Sequence, residues 1–191
     1  SMQDIQAGTI DVISSNRYGV LSKGICLNPF FSPDGKKVAF WTTSVKFSTA
    51  QTTSRNYELI VKDIGGNSFY YPNTNESNVF GNGDCPLIEN NDLNRKIYNA
   101  AFSPDSTKIL FTSHSTNLID GEFNFGIIPD NKFRWYVKDL YTGIVTRVAS
   151  TSNNDFGDLT DDYEALWYDN DNIVFTTYSN NLITENGYSS D

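Results

Sequence analysis

The feature that most constrains the fold of this 191-residue chain is a ten-residue block that occurs twice and then returns in a degenerate form. Residues 31–40 read FSPDGKKVAF, and residues 102–111 read FSPDSTKILF. A weaker third copy, LWYDNDNIVF, occupies residues 166–175. Recurrence at this spacing indicates an architecture in which one supersecondary unit is stacked several times.

The second half of the unit is repeated as well. Residues 57–64, YELIVKDI, match residues 134–140, RWYVKDL. At the N-terminus, residues 4–13 align with the tail of such a unit, with Asp4 at the position of Asp139 and Gly8 at that of Gly143. The chain therefore begins and ends inside a unit. We expect either that it is part of a larger assembly of units or that copies of the chain associate.

Each block combines a turn with a buried strand. Ser-Pro-Asp-Gly favours a type I turn, because Pro sets φ for the second position and Gly closes the turn. In the third copy we expect Asn170 to take the left-handed conformation that a glycine would take at this position. The strands after the turns, 38–41, 109–111 and 173–175, are continuous apolar runs, which predicts that both faces of each sheet are covered. Sheets flanked by similar sheets are typical of a propeller.

We therefore predict an all-β fold and a single domain over 1–191, a β-propeller fragment of stacked four-stranded antiparallel blades with two full blades and parts of the flanking ones. Abundant Phe, Tyr, Asn, Ser and Gly favour strands joined by polar turns. The predicted strands are 9–14 from a preceding blade; 27–31, 37–43, 57–63 and 68–72 in blade 1 (27–72); 99–102, 108–114, 133–139 and 144–150 in blade 2 (99–150); and 164–167 and 172–178 in a partial blade 3 (164–191).

The repeated blocks resemble the TolB-like, WD-type propeller repeats of bacteria, whose hallmark is Phe-Ser-Pro-Asp-Gly followed by Val/Ile-Ala-Phe. Residues 113–119 (SHSTNLI), 178–183 (YSNNLI) and 137–143 (VKDLYTG) are similar to repeats in bacterial secreted and surface proteins. The resemblance covers nearly the whole chain and is specific for the fold, but it says little about function. It implies a location outside the cell, on the cell surface or in the periplasm of a bacterium.

The charge of the chain argues against two classes of partner. With 14 Lys and Arg against 23 Asp and Glu, the net charge is −9. Such a chain repels phosphate backbones, so we expect no nucleic-acid partner. No run of about 18 apolar residues is present, so we expect no membrane insertion.

One acidic stretch is a candidate metal site. Calcium prefers six to eight oxygen ligands, and the stretch interleaves carboxylates with Gly and Thr, although its spacing is not that of an EF-hand. A solvated acidic loop between blades is the alternative. Calcium is the one cofactor that the sequence suggests. The candidate ligands are Asp155, Asp158, Asp161, Asp162 and Glu164.

A long loop between the second and third strands of blade 2 is a candidate contact surface. Residues 120–130 are longer than the corresponding loop of related repeats and contain apolar side chains, which in a loop can mark a binding site. Packing of the loop onto its own blade is the alternative. The candidate binding residues are Glu122, Phe123, Phe125 and Ile127.

Catalytic and covalent features are few. The only histidine is His114, and no Gly-x-Ser-x-Gly sequence accompanies it, so a catalytic triad has little support. Cys26 and Cys85 are predicted to be either two unrelated free thiols or a disulfide that joins neighbouring blades.

The sequence thus predicts a non-enzymatic interaction module of a bacterial secreted, periplasmic or surface protein that contacts protein, peptide or glycan through its inter-strand loops. The alternative is an accessory propeller that gates access to a larger hydrolase or peptidase, because prolyl-oligopeptidase-type enzymes carry similar blades. Incomplete blades leave unpaired strand edges, so we also expect a homodimer through these edges.

Overall fold

The computed structural model describes residues 1–16, 18–21, 23–44, 57–83, 85, 100–120, 133–149 and 164–176. Within these ranges the fold is all-β, with twelve strands and no helix, and therefore no helix that could cross a membrane. The strands are β1 (Met2–Gln3), β2 (Ile10–Asp11), β3 (Cys26–Phe31), β4 (Lys37–Thr42), β5 (Glu58–Asp63), β6 (Phe69–Tyr70), β7 (Ala100–Phe102), β8 (Lys108–Ser113), β9 (Arg134–Asp139), β10 (Val145–Arg147), β11 (Glu164–Trp167) and β12 (Ile173–Thr176).

The strands form four antiparallel sheets. Sheet 1 is β3-β4-β5-β6 and sheet 2 is β7-β8-β9-β10, each with its strands in chain order. Sheet 3 consists of β11 and β12, and the N-terminal hairpin consists of β1 and β2. The ten strands predicted in sheets 1 to 3 are confirmed, with ends that differ by three residues or fewer.

The N-terminal segment differs from its prediction. A single strand was expected at 9–14, whereas the structure has a shorter strand that pairs with β1. Gln3 lies opposite Ile10 in the hairpin, and Lys138 lies opposite Val145 in sheet 2. Counted from the turn glycine, these two pairs occupy the same positions. The hairpin therefore corresponds to the third and fourth strands of a repeat unit, whereas only the fourth was predicted.

The Ser-Pro-Asp-Gly turn is held by its own side chains. The Ser32 hydroxyl donates to the Asp34 carboxylate at 2.6 Å, and the Gly35 N–H donates to the Ser32 carbonyl at 2.9 Å. Gly35 has a φ of 68°, as the turn prediction requires. The second copy has the same bonds at the same lengths, between Ser103 and Asp105 and between Ser106 and Ser103, although Ser106 is not glycine.

The expectation for Asn170 is wrong, because it does not adopt a positive φ. Trp167 lies opposite Ile173 across the third turn, which leaves five residues between the paired positions. In the second copy Phe102 lies opposite Ile109, with six residues between them. The shorter turn needs no left-handed residue at this point.

The sheets stack face to face in chain order. Trp41 and Leu59 of sheet 1 share a core with Phe111 and Tyr136 of sheet 2. The opposite face of sheet 2 packs on sheet 3, and the opposite face of sheet 1 packs on the segment after the N-terminal hairpin. The residues of these two outer cores are Leu110, Trp135, Val148, Ala165, Val137, Trp167, Ile173 and Phe175 for the first, and Phe40, Ile60, Ile13, Cys26, Phe69 and Tyr71 for the second.

Burial of the apolar runs follows from this stacking. All six residues of β4 are buried, as are five of the six in β8, so the prediction of two covered faces is confirmed for both strands. In β12 half-buried and exposed residues alternate, and Val174 is exposed. The prediction fails there because no described residue packs against the outer face of sheet 3.

Candidate functional site

An open groove lies between sheet 2 and sheet 3. Its volume is about 370 Å³. The wall formed by sheet 2 belongs to β9, β10 and the residues after them, and the other wall is β12 with the end of β11. The apolar residues that line it are Val137, Val148, Trp167, Ile173 and Phe175.

The groove lies beside an unpaired strand edge. In sheets 1 and 2 the second strand is paired on both sides, because β5 and β9 lie beside β4 and β8 over six residue pairs each. In the described part of the chain β12 pairs with β11 and with no other strand. A free edge presents backbone N–H and C=O groups that can pair with a further strand. The groove is therefore the place that a third strand of sheet 3 would occupy.

Polar contacts fix one rim of the groove. The Lys108 ammonium donates to the Asp171 carboxylate at 2.7 Å and to the Asn170 carbonyl at 2.9 Å. The hydrogen bond to Asp171 raises the pKa of Lys108, so the lysine stays charged. The indole N–H of Trp167 donates to the Ala101 carbonyl at 3.0 Å. These bonds join sheet 3 to sheet 2 and hold the two walls in place.

The turns of neighbouring sheets are joined in the same way. The Asp34 N–H donates to the Ser106 hydroxyl at 3.1 Å, and the Asp105 N–H donates to the Asn170 amide oxygen at 2.9 Å. The hydrogen bond from Ser103 lowers the pKa of Asp105, which favours the carboxylate that organises this turn. Repetition of one contact at both sheet-to-sheet boundaries indicates that the stacking geometry is part of the repeat.

A second, more polar cavity of about 240 Å³ lies between the loop after sheet 1 and the segment after β8. Glu76 and Asp120 both line it. Asp120 is the first residue of the loop, 120–130, that was predicted to be a contact surface. The residues of that prediction, Glu122, Phe123, Phe125 and Ile127, lie outside the described residues.

The candidate calcium ligands are mostly outside the described ranges. Asp155, Asp158, Asp161 and Asp162 belong to this group. Glu164 is half-buried at the start of β11, opposite Thr176. Among the residues that the structure describes, no group of three or more His, Cys, Asp or Glu side chains could hold a metal ion. Calcium binding stays a prediction.

A buried polar network connects sheets 1 and 2 at the start of β5 and the end of β8, away from the repeated turns. The Asn73 amide donates to the Glu58 carboxylate at 3.1 Å and accepts from the hydroxyls of Ser113 at 2.8 Å and Ser115 at 3.1 Å. The Ser115 hydroxyl shares its one hydrogen between this amide oxygen and the Gly83 carbonyl, which is 3.0 Å away. A network with this many internal bonds fixes the packing of two sheets. It explains why serines occur in the repeated segment at 113–119.

The side chains of His114, Cys26 and Cys85 pack against other residues of the fold. The His114 ring stacks on Phe133, with ring centres 4.2 Å apart. Both thiols are free, so of the two alternatives the disulfide is wrong. Cys85 lies in the core between sheets 1 and 2, and Cys26 packs on the opposite face of sheet 1. The sheet itself separates them.

The groove was not predicted from the sequence, although a signal for it was present. The third unit was predicted to have two strands beside a four-stranded neighbour, and such a difference leaves part of one sheet face uncovered. Comparison with known sequences does not identify the chain, since no protein-family model and no curated protein matches it significantly.

Proposed function

We propose that the chain is a non-enzymatic protein-binding module, part of a β-propeller, and that it takes an extended segment of a partner beside β12. The observation that carries this proposal is the apolar groove next to the edge of β12, which pairs with no further strand in the described part of the chain. The bacterial secreted, periplasmic or surface setting that the repeats suggest suits a module of this kind.

The propeller part of the proposal is supported by the repetition of whole contacts. Sheets 1 and 2 have the same strand order, the same turn bonds and the same type of bond to the next sheet. Each sheet packs on its neighbour in chain order. Radial stacking of four-stranded sheets in a propeller produces this succession.

The groove favours a peptide segment over a glycan. Strand addition gains affinity from main-chain hydrogen bonds, and pockets for alternate side chains give specificity. A strand beside β12 would direct every second side chain toward Val137 and Val148 of sheet 2. Apolar residues in alternation are therefore the expected sequence of the partner.

The proposal is tested with a synthetic peptide of residues 134–140, RWYVKDL. In sheet 2 this segment pairs with β8, and β12 stands in the position of β8 in sheet 3. We expect the labelled peptide to bind the chain in a fluorescence anisotropy titration, and a scrambled peptide to bind at least tenfold more weakly. Equal affinity of the two peptides would contradict the proposal.

A pair of variants places the binding in the groove. Thr146 is exposed and lines the groove, so Thr146→Arg should weaken peptide binding at least tenfold while leaving the fold intact. Ile144 is exposed two residues earlier and does not line the groove, so Ile144→Arg is the matched control. If both variants bind as the unmodified chain does, the peptide binds elsewhere and the assignment of the groove is wrong.

A further inference from the structure

The backbone of the N-terminal hairpin repeats the outer half of sheet 2. The Gly8 N–H donates to the Asp4 carbonyl at 2.9 Å, and the Gly143 N–H donates to the Asp139 carbonyl at 3.1 Å. Both glycines have positive φ, 68° and 78°. The bond that closes each hairpin is also the same. The Asp4 N–H donates to the Thr9 carbonyl at 2.9 Å, and the Asp139 N–H donates to the Ile144 carbonyl at 3.0 Å. Therefore β1 and β2 have the geometry of β9 and β10.

The side chains of the hairpin lack the burial of their counterparts. Ile10 is 63% exposed, whereas Val145 at the same position in sheet 2 is 6% exposed. Ile5 is 91% exposed, whereas Leu140 is 7% exposed. In sheet 2 these positions face sheet 1 and belong to its core. The hairpin thus presents an apolar stripe that in a complete unit packs on the preceding sheet.

The groove beside β12 is the counterpart of this stripe. Sheet 3 supplies the first two strands of a unit, and the hairpin supplies the last two. Among the residues that the structure describes, no third strand lies beside β12.

The groove and the hairpin of one molecule are at opposite ends of the stack. Ile13, just after the hairpin, packs on Phe40 and Ile60, on the face of sheet 1 that points away from sheet 2. The groove lies on the far side of sheet 2. Packed sheets are about 10 Å apart. Two complete sheets therefore separate the hairpin from the groove of its own chain.

We infer that the hairpin of a second copy of this chain completes sheet 3, with β1 beside β12. The inference rests on the proposed function, since it names the occupant of the same groove. The register follows from sheet 2, in which Ile109 lies opposite Lys138 and Leu110 opposite Val137. Transferred to the corresponding residues, it places Ile173 opposite Gln3 and Val174 opposite Met2 of the second copy.

Reciprocal exchange of hairpins closes a ring of two copies. The described part of each chain contains two four-stranded sheets and two two-stranded ones. Two chains therefore form four complete sheets and two shared sheets, six in total, which is within the usual range of about 4–8 for propellers. The exposed face of Val174 would then pack on sheet 1 of the second copy, where the next sheet of the repeat belongs.

Sedimentation equilibrium of the 191-residue chain tests this inference. We expect a mass that rises with concentration toward twice 21.4 kDa and no further. Ile10→Lys in the hairpin and Thr146→Arg in the groove should each weaken the association at least tenfold. Both residues are exposed in the single chain, so the variants should fold. Val79→Lys, at an exposed apolar residue outside both surfaces, is the control and should associate normally.

Mixing the two weakened variants separates a complementary contact from a self-complementary one. The intact hairpin of the Thr146→Arg chain fits the intact groove of the Ile10→Lys chain, so an equimolar mixture should form heterodimers that neither variant forms alone. A monomer at all concentrations, or association that neither variant affects, would overturn the inference. The RWYVKDL peptide, tested on the Ile10→Lys chain, would still bind in that case if the proposed function holds, and would fail to bind if it does not.

Discussion

The ammonium group of Lys138 donates a hydrogen bond to the backbone carbonyl of Thr74, 2.8 Å away, and so ties β9 to the loop that follows sheet 1. A second bond, of 3.1 Å, reaches the Asn75 carbonyl. Lys62, at the same position of the preceding unit, donates to the carbonyls of Ile13 and Ser15 at 3.2 Å. The lysine of the repeated Val-Lys-Asp sequence therefore joins each unit to the one before it.

Replacement of this lysine should loosen the stack. Lys138→Met leaves two carbonyls without their charged donor, and an unsatisfied buried acceptor costs about 1–3 kcal/mol. We expect the free energy of unfolding in urea to fall by about that amount. Lys36→Met, at an exposed lysine, is the control and should change it by less than about 0.5 kcal/mol. Equal stability of both variants would contradict the role of Lys138.

The same lysine should make stability depend on pH. Burial lowers the pKa of Lys138 from 10.5 to about 8, against a smaller opposing effect of the Glu76 carboxylate. Between pH 8 and 10.5 the unfolded chain binds a proton that the folded chain has released, so the contribution of this lysine to stability increases as the pH rises. Below pH 8 both states are protonated and the contribution is constant.

This pH effect is measured as a difference, because other groups titrate in the same range. We expect the unfolding free energy of the unmodified chain, relative to Lys138→Met, to increase between pH 8 and pH 10. Titrations that the two proteins share cancel in the difference. A difference that stays constant over this interval would show that the pKa of Lys138 is not lowered.

The turn of the first block allows a test of backbone strain. Gly35 has a φ of 68°, and no atom lies within 4 Å of the position that a Cβ would take. Gly35→Ala should therefore lower the free energy of unfolding by about 1 kcal/mol, because alanine is strained at this φ, and it should cause no steric clash. Gly35→Asn should lower it less, because Asn tolerates the left-handed region. If Ala is as stable as Asn in urea unfolding, φ is not the reason for the glycine.

The free thiols give a direct chemical test. We expect a thiol reagent to titrate two groups per chain in denaturant without any reductant. In the folded chain Cys26 should react faster than Cys85, because Cys85 is only 1% exposed. The Cys26→Ser variant should therefore lack the fast phase of the reaction. A chain that yields no titratable thiol in denaturant would contain the disulfide that the structure contradicts.

Most of the strand positions could be predicted from the sequence, because the blocks at 31–40 and 102–111 fix both the turn and the strands on each side. The alignment of Gly8 with Gly143 also located the N-terminal turn. The first strand of that hairpin was missed, because Met2 and Gln3 are too few residues to show an alternating pattern.

The groove could not be predicted in the same way, because it lies where β12 has no further strand beside it among the described residues. Phe175 belongs to an apolar run that reads like those of β4 and β8, and a run of this kind does not reveal whether a neighbour is present. The exposure of Ile10 has the same cause, since its counterpart Val145 is buried by another sheet. How far Phe175 and Ile10 are exposed can be recognised only when the sheets that lie beside each of them are known in three dimensions.

A cysteine pair across the inferred junction tests whether β1 of one copy lies beside β12 of another. In a Cys26→Ser background, the chain would carry Met2→Cys and Val174→Cys, the residues that the register of sheet 2 places opposite each other in different copies. Directly opposed residues in an antiparallel sheet have Cα atoms about 4.5–5.5 Å apart, which is within the range that a disulfide spans. The control chain pairs Met2→Cys with Thr176→Cys, which is displaced by two residues.

On oxidation, followed by electrophoresis without reductant, we expect a covalent dimer for the Met2 and Val174 pair and much less for the displaced pair. Reduction should return the dimer to 21.4 kDa. A chain that stays monomeric under oxidation, or that cross-links equally well through both pairs, would contradict the pairing of β1 with β12 between two copies.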